Sequence, residues 1–250
     1  MLPRIRRAFT LIELLCVIAI IGILASIVNG LSSKPPKGLD GATFQAQSVF
    51  AQARAQAQLG NDPDVEMTDA QKKTNPLRFV RARVLMLNDP SDSDRNLRFM
   101  GVIVGGYRGT DTTKSEKNLQ EGDLSWYSLN DGVLLPQGFY YVNNESTIKA
   151  ILQSDVYNKT FGPATMTFDF GHRQVRKSGS GQKYYYYEFL NTGAANMTDT
   201  ADKTGARFMI TEGTINPATQ KVDPLNANNV GGFIVLRPGT TLSINNKHDQ

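Results

Sequence analysis

Glu13 is the residue whose chemistry most needs explaining. It is the single charge in an apolar run from 9 to 28, and Arg4, Arg6 and Arg7 stand just before that run. As a helix the run spans about 30 Å, the hydrocarbon thickness of a bilayer. A carboxylate at the centre of such a helix costs about 2.5–3.5 kcal/mol on insertion scales. Near the helix end it can snorkel to the interface at lower cost. The chemistry available to Glu13 is charge pairing, because a buried carboxylate persists where a cation meets it. The arginines ahead of the run should keep the N-terminus cytoplasmic and send the remainder outward.

Three readings fit this opening. An ordinary secretory signal peptide has the basic start, but its apolar region is shorter and rarely holds an acid. A plain membrane anchor accounts for length and charge and leaves Glu13 without a purpose. The third reading gives the acid a role. Ala8-Phe9-Thr10-Leu11-Ile12-Glu13-Leu14-Leu15 resembles the processing motif of type IV prepilins and type II secretion pseudopilins, and residues 17–25 continue as a pilin N-terminal helix does. The resemblance implies that prepilin peptidase cuts between Ala8 and Phe9 and that the new Phe9 amine is methylated. It also implies that Glu13, fifth after the cut, takes part in assembly with other pilin or pseudopilin subunits. Ala8 stands where that family usually has Gly, and Gly30 stands in the region where many pilins have Pro.

Other residues with chemical potential give weaker signals. Asp92-x-Asp94-x-Asn96 opens like a calcium loop, but Leu97 and Ile103 occupy the positions that need Gly and Glu, so the EF-hand fails. A solvated hairpin loop is the expectation there, with an irregular oxygen site as the alternative. His172 and His248 lack any accompanying HExxH, GxSxG or P-loop pattern. The run Tyr184-Tyr185-Tyr186-Tyr187 has no interleaved basic stripe, which argues for alternating faces of one strand rather than base stacking. The single cysteine, Cys16, sits in the apolar run as a small hydrophobe and excludes an intrachain disulfide. Three Asn-x-Ser/Thr sequons read as chance in a chain with a bacterial-type leader. No enzyme chemistry, metal or cofactor is expected.

The net charge of +4 would suit nucleic acid, yet the three leader arginines supply most of it. The rest of the chain is almost neutral, and no nucleic-acid partner is expected.

The elements that must carry these residues follow from periodicity. Residues 31–41 contain Pro35-Pro36 and nearby glycines, and read as a linker. Over 43–60 a helical pattern puts Ala42, Ala46, Val49, Phe50, Ala53 and Ala57 on one face, with Gly60-Asn61 as the stop. Beyond Pro76, strand patterns run over 77–87, 97–104, 124–129, 139–142, 165–170, 184–190, 207–211 and 233–236, with a short helix over 146–157. Segments 48–61, 135–138 and 168–171 resemble those of the H-type minor pseudopilins.

The expected fold is α+β and pilin-like. It comprises a leader (1–8), a transmembrane and filament-core helix (9–30), a linker (31–41) and an extracytoplasmic domain (42–250) with a helix packed on an antiparallel sheet. The implied role is a minor pseudopilin or minor pilin, resident in a bacterial inner membrane and its lipid before entering a filament. A membrane-anchored extracytoplasmic binding module that does not polymerise is the rival.

Overall fold

The computed structural model describes residues 38–60, 68–115, 119–143, 164–170, 179–196, 206–226, 230–235 and 241–245. The chain divides into two compact units, Met1–Lys37 and Gly38–Gln250, and every described residue belongs to the second. The leader, the apolar run, the 146–157 helix pattern and both histidines lie outside the described residues.

Helix α1 (Gly38–Leu59) buries the anticipated stripe of Ala42, Ala46, Val49, Phe50, Ala53 and Ala57, plus Thr43. It begins inside the segment 31–41 that reads as a linker. The glycines there suggest a break, but Leu39 packs against the core and Asp40 places a negative charge in the first turn, where the helix dipole favours it. Gly60 follows with φ of 63°, the left-handed cap expected of a glycine stop. A short helix α2 (Asp69–Thr74) shows no apolar periodicity. It is held by a capping box: the Thr68 hydroxyl accepts from the Gln71 amide, and the Gln71 side chain accepts from the Thr68 amide at 2.9 Å.

Eleven strands follow among the described residues: β1 (Leu77–Leu87), β2 (Phe99–Arg108), β3 (Ser125–Ser128), β4 (Val133–Leu134), β5 (Phe139–Tyr141), β6 (Ala164–Phe168), β7 (Gln182–Leu190), β8 (Ala206–Ile215), β9 (Val222–Pro224), β10 (Val230–Val235) and β11 (Thr241–Asn245). All their pairings are antiparallel, and they form two sheets rather than one. The first runs β3-β2-β1-β7-β6 with β4 beside β2. The second runs β11-β10-β8-β5 with β9 beside β8. The result is α+β, as expected.

Helix α1 packs on β1, β2 and β7 of the first sheet and on β8 and β10 of the second. The alanines let the backbones approach, and Phe50 fills the space between the two sheets. Its ring lies 5.1 Å from Tyr187, 5.1 Å from Phe208 and 4.9 Å from Phe233. β1 is buried from Val80 to Leu87 on both faces. Val80, Ala82, Val84 and Met86 turn toward α1, whereas Leu85 and Leu87 join a second apolar cluster with Ile103, Trp126, Met166, Phe168 and Tyr184. Burial on both faces is why Val84-Leu85-Met86-Leu87 reads as a continuous apolar run. The tyrosine run alternates as anticipated: Tyr185 and Tyr187 face the first cluster, and Tyr184 and Tyr186 the second.

Gly105 in β2 has a defined steric role. A Cβ there would lie 2.5 Å from the fully buried indole of Trp126. Gly105→Ala is therefore expected to cost about 1–3 kcal/mol, the usual penalty of overpacking. The checks are urea unfolding and the near-ultraviolet circular dichroism of Trp126. An unchanged midpoint would show that the indole has room to retreat.

Candidate functional site

The first sheet carries a cluster of buried charge on its face away from α1. Arg81 and Arg83 lie two residues apart on β1, so their side chains share that face. Glu188 on β7 is the direct cross-strand partner of Arg83. All three are buried. The Glu188 carboxylate accepts from Arg83 Nε at 2.7 Å, from Arg81 Nη1 at 3.2 Å and from the Asn196 amide. A paired carboxylate with several donors is the form in which a buried acid is tolerated.

Arg83 uses its remaining nitrogens on the opposite side. Nη1 and Nη2 donate to the two oxygens of Glu121 at 2.8 and 2.6 Å, a bidentate fork. Trp126 Nε1 donates to the same carboxylate at 3.2 Å. The guanidinium lies between two rings, 4.1 Å from the centroid of Trp126 and 4.0 Å from that of Tyr186. Strand register builds this stack. Trp126 pairs with Gly105, where the absent side chain leaves room for the indole to lie across β2 toward Arg83. Burial alone pulls the Arg83 pKa down, but Glu188 and then Glu121 outweigh it and leave it raised.

Glu121 belongs to a 3-10 turn, Glu121–Asp123, in the connection from β2 to β3. Leu119 and Leu124 bury themselves on either side of the turn. Asp123 accepts from the Gln120 amide at 2.8 Å and from Lys114 Nζ at 2.7 Å. None of these residues is among the sites expected from the sequence. A signal was present: two arginines at i and i+2 within a mostly apolar strand must share one face.

This arrangement binds and orients charge. The guanidinium groups do not exchange protons near neutrality, and both carboxylates are engaged by them in ion pairs. The Asp92-x-Asp94-x-Asn96 segment also resolves into structure. Asp92 accepts from the Arg95 amide, and buried Asn96 accepts from the Asp89 amide at 3.0 Å. The segment is a hairpin loop, as expected, but Asn96 is a structural bracket rather than a solvated residue. Leu97 follows with φ of 56°, a left-handed backbone that its buried side chain holds in place. Among the described residues no group of three or more His, Cys, Asp or Glu side chains could hold a metal.

The processing and assembly residues Ala8, Phe9 and Glu13 lie outside the described residues. Their region carries a match to a known family. Residues 3–29 match the prokaryotic N-terminal methylation motif. The chain thus carries a prepilin-type N-terminal segment. The motif takes in the arginines, the Ala8-Phe9 junction, Glu13 and the apolar run, and it supports processing by a prepilin peptidase. It ends before α1. No curated protein and no solved structure matches the chain. Among the described residues no helix is long and apolar enough to cross a membrane.

Proposed function

We propose that the chain is a non-enzymatic structural subunit, a minor pseudopilin of a type II secretion-like machine or a minor pilin of a type IV pilus. The methylation motif at 3–29 carries this reading. Prepilin peptidase cuts between Ala8 and Phe9 on the cytoplasmic side, and the Phe9 amine is methylated. The apolar helix first anchors the subunit in the inner membrane, with the domain from Gly38 onward outside. It then leaves the lipid to become part of a filament core built with other subunits. Segments 48–61, 135–138 and 168–171, with their likeness to H-type minor pseudopilins, favour a minor role within the secretion class. The long connections between strands favour a minor subunit over a major one.

Glu13 supplies the assembly chemistry. Cleavage creates a cationic amine at Phe9, and moving the helix from lipid into a filament buries both that amine and the carboxylate. Pairing between adjacent subunits offsets the desolvation of each and fixes axial register.

Polymerisation separates this reading from the non-polymerising anchored module. Shearing intact cells or crosslinking membranes is expected to recover the chain in covalent contact with other subunits bearing the same motif. Recovery only as a monomer in the membrane extract, with the secretion or pilus machinery expressed, would favour the binding module.

A further inference from the structure

We propose that the outer face of the first sheet carries a carboxylate-binding site centred on Arg83, with Glu121 as its internal occupant, open to replacement by the carboxylate of a partner chain. Three observations carry this. Three donors that meet Glu121, Arg83 Nη1, Arg83 Nη2 and Trp126 Nε1, come from strands β1 and β3. The receptor is therefore built by sheet register, whereas the occupant arrives on a connecting loop. The receptor is also braced from behind. Glu188 holds Arg83 Nε, and the Trp126 and Tyr186 rings fix the guanidinium plane, so the fork keeps its aim whether or not Glu121 is present. Exposure differs sharply across the fork. The Arg83 side chain is 3% exposed, whereas that of Glu121 is 41% exposed. The carboxylate reaches its receptor from the solvent side, the side from which a second carboxylate would come.

The chemical class follows from the donor set. A planar fork with a third N–H beside it fits a carboxylate, and two flanking rings admit a flat group between them. Nothing in the cluster performs a covalent step. The site binds, and an incoming carboxylate would displace Glu121 together with the turn Glu121–Asp123 that carries it. This inference stands on the folded domain alone and is independent of the N-terminal motif.

Trp126 is the only tryptophan in the chain, so its emission reports this site without labelling. The experiment uses the full chain in detergent with Glu121→Ala, titrated with acetate at constant ionic strength. Vacating the site is expected to change the Trp126 emission. Acetate is expected to return it toward the unsubstituted value with saturation in the millimolar range, as suits a ligand of a few heavy atoms. Chloride should have no such effect, and the unsubstituted chain should respond weakly because Glu121 competes. Absence of a saturable response in a variant with unchanged far-ultraviolet circular dichroism would overturn the proposal, as would an equal response to chloride. Should Glu121→Ala lose its fold, Glu121→Gln serves as the second variant. It retains the shape of the side chain without its charge, and acetate must displace it with the same change in emission. A folded Glu121→Gln that ignores acetate overturns the proposal equally.

Discussion

Glu13→Gln is expected to leave membrane insertion, leader cleavage and folding outside the membrane near normal, while incorporation into filaments falls about 100-fold or more. The amide keeps the shape and hydrogen bonding of the carboxylate and removes its charge. Insertion does not depend on that charge, because the surrounding run is long and apolar without it. Assembly does depend on it if the subunit polymerises through its N-terminal helix. On the proposed reading, the Phe9 amine of one subunit would enter an apolar filament core and need a counter-charge. Removing one partner of a buried ion pair costs about 3–5 kcal/mol, and each 1.4 kcal/mol is a factor of ten. The ratio of crosslinked to monomeric chain in sheared and membrane fractions gives the number. Equal co-assembly of Glu13→Gln and the unsubstituted chain would mean that Glu13 is a snorkelling acid in a plain anchor.

Glu188→Ala should be the most damaging single change in the globular part. Its side chain is 3% exposed and receives both Arg81 and Arg83. Alanine removes the carboxylate that Arg83 Nε and Arg81 Nη1 share in a space with little access to water, while Glu121 still holds the Arg83 fork. The expected loss is about 3–5 kcal/mol, a large part of the 5–15 kcal/mol typical of a folded domain. A chain truncated before Lys37 is the material for this measurement, because Gly38–Gln250 forms a compact unit and should fold alone, soluble and β-rich. Urea unfolding of the truncated chain with and without the substitution measures the difference. Glu188→Gln should lose less, since the amide oxygen still accepts one of the donors. A loss below about 1 kcal/mol for Glu188→Ala would place the cluster among solvent-screened pairs.

Much of this fold was legible in the sequence where one face alone is buried. The alanine stripe of α1 and the Met166-Phe168-Phe170 alternation at β6 each show a period that a single buried face imposes, whereas the four consecutive tyrosines of β7 divide between two clusters and were placed by strand geometry alone. The strand pattern over 77–87 matched β1 because its residues favour a strand, even though both faces are buried. Short elements were missed for a physical reason. β4 has two residues and β9 three, too few to show a period, and each is set by its neighbour: β4 by β2, β9 by β8. β8 runs on to Ile215 through polar Glu212-Gly213-Thr214 because β5 and β9 pair with it there, and pairing leaves no mark on hydropathy.

The division into two sheets was not legible either. Strand order depends on which edges meet after collapse, and no local pattern separates β8 and β10 from β1 and β7. The charge cluster was half legible. Arg81 and Arg83 are conspicuous within an apolar strand, but their partner Glu188 is about a hundred residues away and its identity needs register. The capping box of α2 was available from Thr68 and Gln71 three residues apart. Periodicity could not reveal it, because that helix buries no apolar face.

The N-terminal reading has the opposite character: a specific motif whose residues lie outside the described structure. Its test is therefore chemical. Mass spectrometry of the mature chain from the membrane fraction reads the processed terminus directly. A prepilin-type subunit yields a chain that begins at Phe9 and carries a methylated amine. A mature chain beginning between Ser26 and Ser33, or an uncut chain retaining Met1 through Ala8, would contradict that processing and the filament role built on it.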